Sequence, residues 1–265
     1  MDGFDTRGYW ERRLRGRYTL AGVGHHRLGE RFNAWNYRVK GEVFDRVVQE
    51  FVPVVNGSRV IEIGPGTGFY VRRWLRAGAQ VTGLDITEVA AQSLAAKHRD
   101  ARFLTGDIGQ PLAEPLASEA GQFDIACAMD VLYHIVDDDL FAAALANLST
   151  LLRPGGRFIW SDQFVHQEVE RTPHAVSRKL PDVERALATA GFKVLDRRPL
   201  AVLLGFPSDV RFGVARLAWK AVMAPAVLSD RVGGVMGALL YQPERLLVQR
   251  LREGPSTEIM VCERI

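Results

Sequence analysis

The residues best suited to chemistry lie in the segment 59–70, which reads RVIEIGPGTGFY. An apolar run carries one carboxylate, Glu62, and then breaks into glycines at alternate positions, Gly64, Gly66 and Gly68. A carboxylate inside an apolar strand is costly unless it finds a buried partner, and closely spaced glycines let a backbone approach a ligand. The pattern predicts a strand, a glycine-rich turn and a helix start that together bind a nucleotide-like molecule.

The glycine spacing argues against two common nucleotide sites. In the dinucleotide fingerprint G-x-G-x-x-G, the third glycine lets the helix pack closely on the strand. Counted from Gly64, that position is the bulky Phe69. No lysine follows the glycines, so the phosphate-binding loop G-x-x-x-x-G-K-[ST] is also absent. An acid at the strand end with free backbone amides suits a zwitterionic amino-acid tail and a ribose.

Four further motifs follow in order: GLDI, LTGDI, FDIACAMDVLYHI and LLRPGGRFIW. The series resembles the class I S-adenosylmethionine-dependent methyltransferases over about 59–161, with AGFKVL and the last strand. The resemblance implies that Asp85 accepts hydrogen bonds from the ribose hydroxyls and that Asp107 and Ile108 flank the adenine. The implied S-adenosylmethionine-binding residues are Glu62, Gly64, Pro65, Gly66, Gly68, Asp85, Ile86, Asp107, Ile108, Asp130 and Tyr133.

The elements that must position these residues alternate between apolar strands and helices, which predicts a parallel sheet covered on both faces. Two strand-like segments near the C-terminus, FKVLDRRPLAVLL and EIMVCERI, are expected to pair antiparallel at one edge. The predicted α/β fold is a Rossmann-like, doubly wound seven-stranded sheet with its last strand antiparallel, as the resemblance also implies. The predicted parts are an N-terminal helical lid (1–57), the cofactor-binding core (58–204), a helical substrate-cap insert (205–250) and the final core strand (251–265).

Charge is unevenly distributed along the chain. Residues 1–40 hold nine arginines and lysines against four acids, whereas the remainder has a net charge of about −2. A basic arm can meet an anionic substrate, a membrane surface or nucleic acid, although a solvated helix face is the favoured interpretation. Within the arm, Arg38 could pair with the methionine carboxylate of the cofactor.

A hydroxyl acceptor of a methyl group must lose a proton, usually to a positioned histidine or carboxylate. The candidate catalytic residues are Asp130 and His134, after the fourth strand, and His166, after the fifth. The acidic run 137–139 is explained by the dipole of the helix that it starts, so no metal site is predicted.

The apolar residues of the insert predict a lining for a greasy acceptor pocket, since such pockets have few polar groups. A homodimer interface or a peripheral membrane contact would use the same residues. They are Phe206, Phe212, Leu217, Trp219, Met223, Leu228, Met236, Leu240 and Tyr241.

The predicted function is methyl transfer from S-adenosylmethionine to a small, fairly apolar metabolite, at oxygen. One alternative is nucleic-acid methylation, although AMDVLYH lacks the Asn/Asp-Pro-Pro-Tyr/Phe loop that grips a flipped base. Another is a non-catalytic scaffold that retains the fold. No signal peptide or apolar window of ~18 residues is apparent, and Cys127 and Cys262 lie in strand-like runs, so a cytoplasmic location is predicted.

Overall fold

The computed structural model describes residues 4–166, 171–211 and 213–265. Its seven strands form one sheet in the order β3-β2-β1-β4-β5-β7-β6, in which β7 runs antiparallel to both of its neighbours and the other pairs are parallel. The predicted doubly wound sheet with an antiparallel last strand is confirmed. The strands are β1 (Arg59–Ile63), β2 (Gln80–Asp85), β3 (Arg102–Thr105), β4 (Phe123–Met129), β5 (Leu152–Asp162), β6 (Phe192–Pro199) and β7 (Glu258–Arg264).

Helices cover both faces of this sheet, and two short 3₁₀ turns (Leu116–Glu119 and Leu132–His134) flank β4. The α-helices of the described residues are α1 (Thr6–Gly16), α2 (Leu20–Val23), α3 (Gly29–Phe51), α4 (Val71–Arg76), α5 (Glu88–Lys97), α6 (Asp138–Leu151), α7 (Leu180–Thr189), α8 (Gly213–Leu228) and α9 (Asp230–Arg250).

The strand side chains alternate between two hydrophobic cores, as the period of two in a strand requires. Val60 belongs to the core formed with α3, α4 and α9, whereas Ile61 belongs to the core formed with α6 and α7. Cys127 and Cys262 are free thiols buried in opposite cores. No described helix is both long and apolar enough to cross a bilayer.

The N-terminal helix α3 and the insert helix α9 pack closely on one face of the sheet. Glycines on α9 permit this approach, because a Cβ on Gly233 would lie 2.7 Å from the carbonyl oxygen of Leu28, and one on Gly237 would lie 2.7 Å from the ring of Trp35. Lid and insert, which are far apart in sequence, are therefore neighbours in the fold.

Two details depart from the sequence-based expectation. The segment FKVLDRRPLAVLL was expected to be one long strand, but β6 ends at Pro199. The N–H groups of Val202 and Leu203 instead donate to the buried carboxylate of Glu244, each at 2.6 Å. Proline in a helix interior usually breaks or kinks the helix, yet Pro225 and Pro243 lie inside α8 and α9.

The Glu244 contact generates a test of the fold. We expect Glu244→Ala to lower the free energy of unfolding by about 2–6 kcal/mol, since two buried N–H groups lose their acceptor. Glu244→Gln keeps one oxygen and should lose less. Urea denaturation followed by circular dichroism measures both, with the exposed Gln249→Ala on the same helix as control. Equal stability of Glu244→Ala and the control would contradict this role.

Candidate active site

A cavity of about 960 Å³, counted to its open mouth, lies at the carboxyl ends of β1, β2, β3 and β4. The strand order reverses between β1 and β4, and ligands of open α/β sheets bind at such a switch point. Ten of the predicted site residues line it: Glu62, Gly64, Pro65, Gly66, Asp85, Ile86, Asp107, Ile108, Asp130 and His134.

The glycine-rich turn forms one wall of the cavity with its backbone. Gly64 and Gly66 have φ angles of 61° and 52°, a region that residues with a Cβ seldom adopt. A Cβ on Gly64 would also lie 2.6 Å from the side chain of Val131. Phe69, where a dinucleotide site has its third glycine, lines the same cavity and packs against Tyr37, with 4.9 Å between ring centroids.

Glu62 is a buried carboxylate in the cavity wall, 2% exposed. Its Oε2 has no hydrogen-bond partner. Burial raises the pKa of Glu62 to about 8, and the N–H of Val71 offsets this only in part. An unpartnered buried acceptor is costly, so this wall fits a ligand that brings a cationic donor.

Asp85, the last residue of β2, and Asp107, two residues after β3, are hydrogen-bonded within the chain. Oδ1 of Asp85 accepts hydrogen bonds from the N–H and the hydroxyl of Thr87, at 2.9 and 2.7 Å, and Oδ2 accepts one from the N–H of Gly66, at 3.2 Å. Burial raises the pKa of Asp85. Asp107 accepts from the N–H of Gly109 at 2.9 Å. Asp85 therefore fixes the glycine turn while it lines the cavity.

Asp130 follows β4 in a left-handed conformation, with a φ of 59°, and is the one described non-glycine residue with positive φ. The Lys40 ammonium donates to its Oδ2 at 2.5 Å, and the Ser161 hydroxyl donates to its Oδ1 at 3.0 Å. Both oxygens of this largely buried carboxylate are thus engaged. Sequence reasoning did not identify Lys40.

The ring of His134 is held in one tautomer. Its Nδ1 lies 2.7 Å from the carbonyl oxygen of His174, and a carbonyl only accepts, so Nδ1 carries the proton. Nε2 therefore keeps its lone pair. Burial lowers the pKa of His134 to about 4, so the imidazole is neutral at physiological pH.

The N-terminal arm forms another wall of the cavity, through Thr6, Trp10 and Leu14 of α1 and Val23 of α2. The Tyr18 hydroxyl donates to the carbonyl oxygen of Gly66 at 2.7 Å. The Glu11 carboxylate accepts from the N–H of Glu88 at 3.0 Å, which joins α1 to the start of α5. Sequence reasoning expected a lid here but gave no basis for choosing Trp10 or Tyr18.

Four predicted residues do not line the cavity. Arg38 lies 3.7 Å from Glu42 and over the ring of Tyr241, and its pairing with a methionine carboxylate stays a prediction. His166 pairs with Asp209 at 2.7 Å, and the hydrogen bond raises its pKa. Gly68 faces Leu94, and the ring of Tyr133 packs on His134.

The insert also contributes no residue to the cavity walls among the described residues. Leu217 and Leu228 are exposed to solvent, contrary to the expected pocket lining, and Phe212 lies outside the described residues. In the acidic run, Asp137 caps α6 and Asp138 pairs with arginines. Across the described ranges no set of three side chains could hold a metal ion.

The fold is that of a class I S-adenosylmethionine-dependent methyltransferase. It has that sheet order, the glycine turn after β1, and the acids Glu62, Asp85 and Asp107 near the ends of β1, β2 and β3. Residues 61–160 match the family model described as Methyltransferase domain. The matched segment, a little over a third of the chain, is similar to that family.

The chain is also similar in sequence to curated proteins and in fold to solved structures. The ubiquinone biosynthesis O-methyltransferase of Stutzerimonas stutzeri (strain A1501) is 34% identical over 132 residues, which cover 49% of this chain and 53% of the relative. The chain thus spans about half the length of the curated relatives it matches. Among solved structures, a geranyl diphosphate methyltransferase in complex with GPP and sinefungin has a TM-score of 0.56 at 15% identity, covering 83% of this chain and 76% of the other. The [4+2]-cyclase SpnF has a TM-score of 0.53 at 18% identity, covering 84% and 80%.

The environment of Glu62 predicts a pH dependence of stability. Its folded pKa of about 8 exceeds the unfolded value of about 4.3, so the native state binds the proton more tightly. The resulting stability is complete below about pH 4 and is lost as the pH rises through 8. Between pH 5 and 9 the ligand-free protein should lose up to several kcal/mol more than Glu62→Gln. Parallel urea titrations measure the difference, and equal slopes would contradict the assignment.

Proposed function

We propose that the protein transfers a methyl group from S-adenosylmethionine to an oxygen atom of a small, apolar molecule. The observation that carries the proposal is the unpartnered carboxylate oxygen of Glu62 in the cavity wall. It lies beside the glycine turn of a methyltransferase domain. With Glu62 taken as the contact for the methionine end of the cofactor, the residues for its ribose and adenine follow from their positions in the cavity.

The residues present fit the cofactor from one end of the cavity to the other. Glu62 would accept hydrogen bonds from the methionine ammonium group, which supplies the cation that its burial calls for. Asp85 would bind the ribose hydroxyls, and Asp107 with Ile108 would border the adenine. When bound, the cofactor supplies an electrophilic methyl group on a sulfonium.

The acceptor side of the proposal rests on His134 and Asp130. Because His134 is neutral and carries its proton on Nδ1, its Nε2 can take the proton that a hydroxyl acceptor loses. Asp130, whose two oxygens already accept from Lys40 and Ser161, would instead position the acceptor through a remaining lone pair. Trp10, whose ring centroid lies 4.8 Å from that of His134, offers an apolar contact for the acceptor.

The arm would keep water away from the reacting atoms. In a displacement at a sulfonium, the protein chiefly aligns the reactants and excludes competing nucleophiles. Trp10, Leu14 and Val23 provide an apolar cover over the same cavity. This arrangement favours a small acceptor that fits under the cover rather than a nucleic-acid strand.

Transfer to oxygen is supported by the names of the relatives, which are O-methyltransferases of ubiquinone biosynthesis. A cytoplasmic location is the compatible proposal, since two buried free thiols suit a reducing compartment. The cyclase among the structural neighbours defines the rival, a protein of the same fold that carries out a different reaction.

Calorimetric titration with S-adenosylhomocysteine tests cofactor binding. We expect Asp85→Ala to weaken binding on the order of 100-fold or more, through the loss of hydrogen bonds to a charged acceptor. Asp100→Ala removes an exposed carboxylate before β3 and should bind normally. No binding to the unaltered protein at millimolar ligand, or equal affinities for Asp85→Ala and Asp100→Ala, would overturn the proposal.

The Glu62 contact makes a separate prediction about affinity and pH. The ammonium group binds the ionised carboxylate, so with a pKa of about 8 the affinity should rise roughly 50-fold between pH 6 and pH 8. Glu62→Gln should bind more weakly at pH 8 and lose this rise. Titration of both proteins in the same buffers cancels the ionisation of the ligand itself. A parallel rise in the variant would show that Glu62 does not bind the ammonium group.

A further inference from the structure

Helix α8 presents an apolar face to solvent. With 100° per residue, its buried residues Met223 and Ala226 and the half-buried Trp219 define the inward side. The opposite side carries neither charged nor hydrogen-bonding side chains. It consists of Val214, Leu217, Ala218, Ala221, Ala224, Pro225 and Leu228, all exposed.

This arrangement is the reverse of an ordinary surface helix, which turns its polar residues outward. Val214 is 74% exposed, Leu217 69% and Leu228 87%. The neighbouring helix α9 adds the exposed side chains of Val232, Val235, Leu239 and Leu246. Nine of the thirteen exposed large hydrophobic residues among the described residues fall within 214–246, so exposed apolar side chains are concentrated on these two contacting helices rather than scattered over the surface.

The charges around this patch are mostly positive. Residues 205–252 contain seven arginines and lysines and three acids. The three acids are already engaged: Asp209 with His166, Asp230 with Arg31 and Glu244 with backbone N–H groups. The exposed ionic side chains of the two helices and the turn after them include the cations Lys220, Arg231, Arg250 and Arg252 and the acids Asp230 and Glu253, which pair with Arg31 and Arg197.

We propose that α8 and α9 dock the protein onto an anionic phospholipid surface. An apolar helical face flanked by cations is the pattern of helices that lie in the interface of a bilayer. Each Lys or Arg near such a surface adds to the attraction of negatively charged headgroups. The sixteen residues of α8 would lie flat along it, over about 24 Å.

A second copy of the chain fits this face less well than a bilayer. A twofold interface brings the same patch of each copy together, which would oppose cations to cations. The insert's acids, which could neutralise them, are committed elsewhere, and like charges placed together disfavour association. An anionic bilayer meets both the apolar face and its cations. This inference does not depend on the reaction assigned to the cavity.

Co-sedimentation of the full chain with sucrose-loaded vesicles tests the inference. We expect binding to phosphatidylcholine vesicles that contain phosphatidylglycerol, and at least tenfold weaker binding to phosphatidylcholine alone, because the cations lose their counter-charges. Raising the salt concentration should weaken the first binding. Leu217→Gln/Leu228→Gln should reduce the partition coefficient on the order of 100-fold, since two side chains no longer enter the apolar layer.

Matched control variants test whether a loss of vesicle binding is specific to the face of α8 and α9 or follows from removing any exposed apolar or cationic side chain. Val54→Gln/Ile265→Gln removes two exposed apolar side chains elsewhere and should bind like the unaltered protein. Lys220→Gln/Arg231→Gln should weaken binding to anionic vesicles at least tenfold, whereas Arg99→Gln/Lys193→Gln, also exposed, should not. Unchanged melting temperatures and S-adenosylhomocysteine affinities establish that the variants are folded.

Three results would overturn the inference. The first is the absence of binding to anionic vesicles by a protein that still folds. The second is equal loss of binding in the Leu217→Gln/Leu228→Gln variant and its control. The third is a dimer in light scattering that only Leu217→Gln/Leu228→Gln converts to a monomer, because the face would then belong to a second copy.

Discussion

The reversal of strand order beside β1 is the constraint on which the candidate site depends. The chain passes from β3, at one edge of the sheet, to β4 on the other side of β1. Since crossovers between parallel strands are right-handed, the helices on the two sides of that point cover opposite faces. A crevice remains over the strand ends, and β1, β2 and β4 deliver Glu62, Asp85 and Asp130 to its edge.

These three acids lie at or next to the ends of their strands, but they differ in how their oxygens are hydrogen-bonded. Asp85 and Asp130 are satisfied by neighbouring donors within the chain, whereas Glu62 keeps one oxygen without a partner. The free energy of desolvating Glu62 is therefore spent during folding and not when a ligand arrives. Asp85 and Asp130 therefore stabilise the shape of the site, whereas Glu62 is the carboxylate that can gain a hydrogen bond from a ligand.

The sequence predicted the sheet well because each strand has an apolar pattern and each turn has its own chemistry. It predicted the cavity wall for the same reason, since the glycine turn and the acids belong to single contiguous motifs. The sequence did not predict the rotation of α3 about its own axis. Arg38 and Lys40 are two positions apart and so differ by about 200° around the helix, and only packing against α9 and the sheet decides which one reaches Asp130. The insert is a related case, since α8 and α9 continue as helices through Pro225 and Pro243 against the local preference of proline.

The wall formed by α1 and α2 has a consequence for the timing of events at the cavity. Their buried residues Leu14 and Ala21 belong to neither of the two hydrophobic cores. Release of the arm would break the contacts of Tyr18 and Glu11 without separating a strand. Local opening of this kind has its own free energy, lower than that of global unfolding. Opening of the cavity at this wall therefore breaks contacts that the folded sheet does not need, so changes that stabilise the sheet are expected to leave the free energy of this opening unaltered.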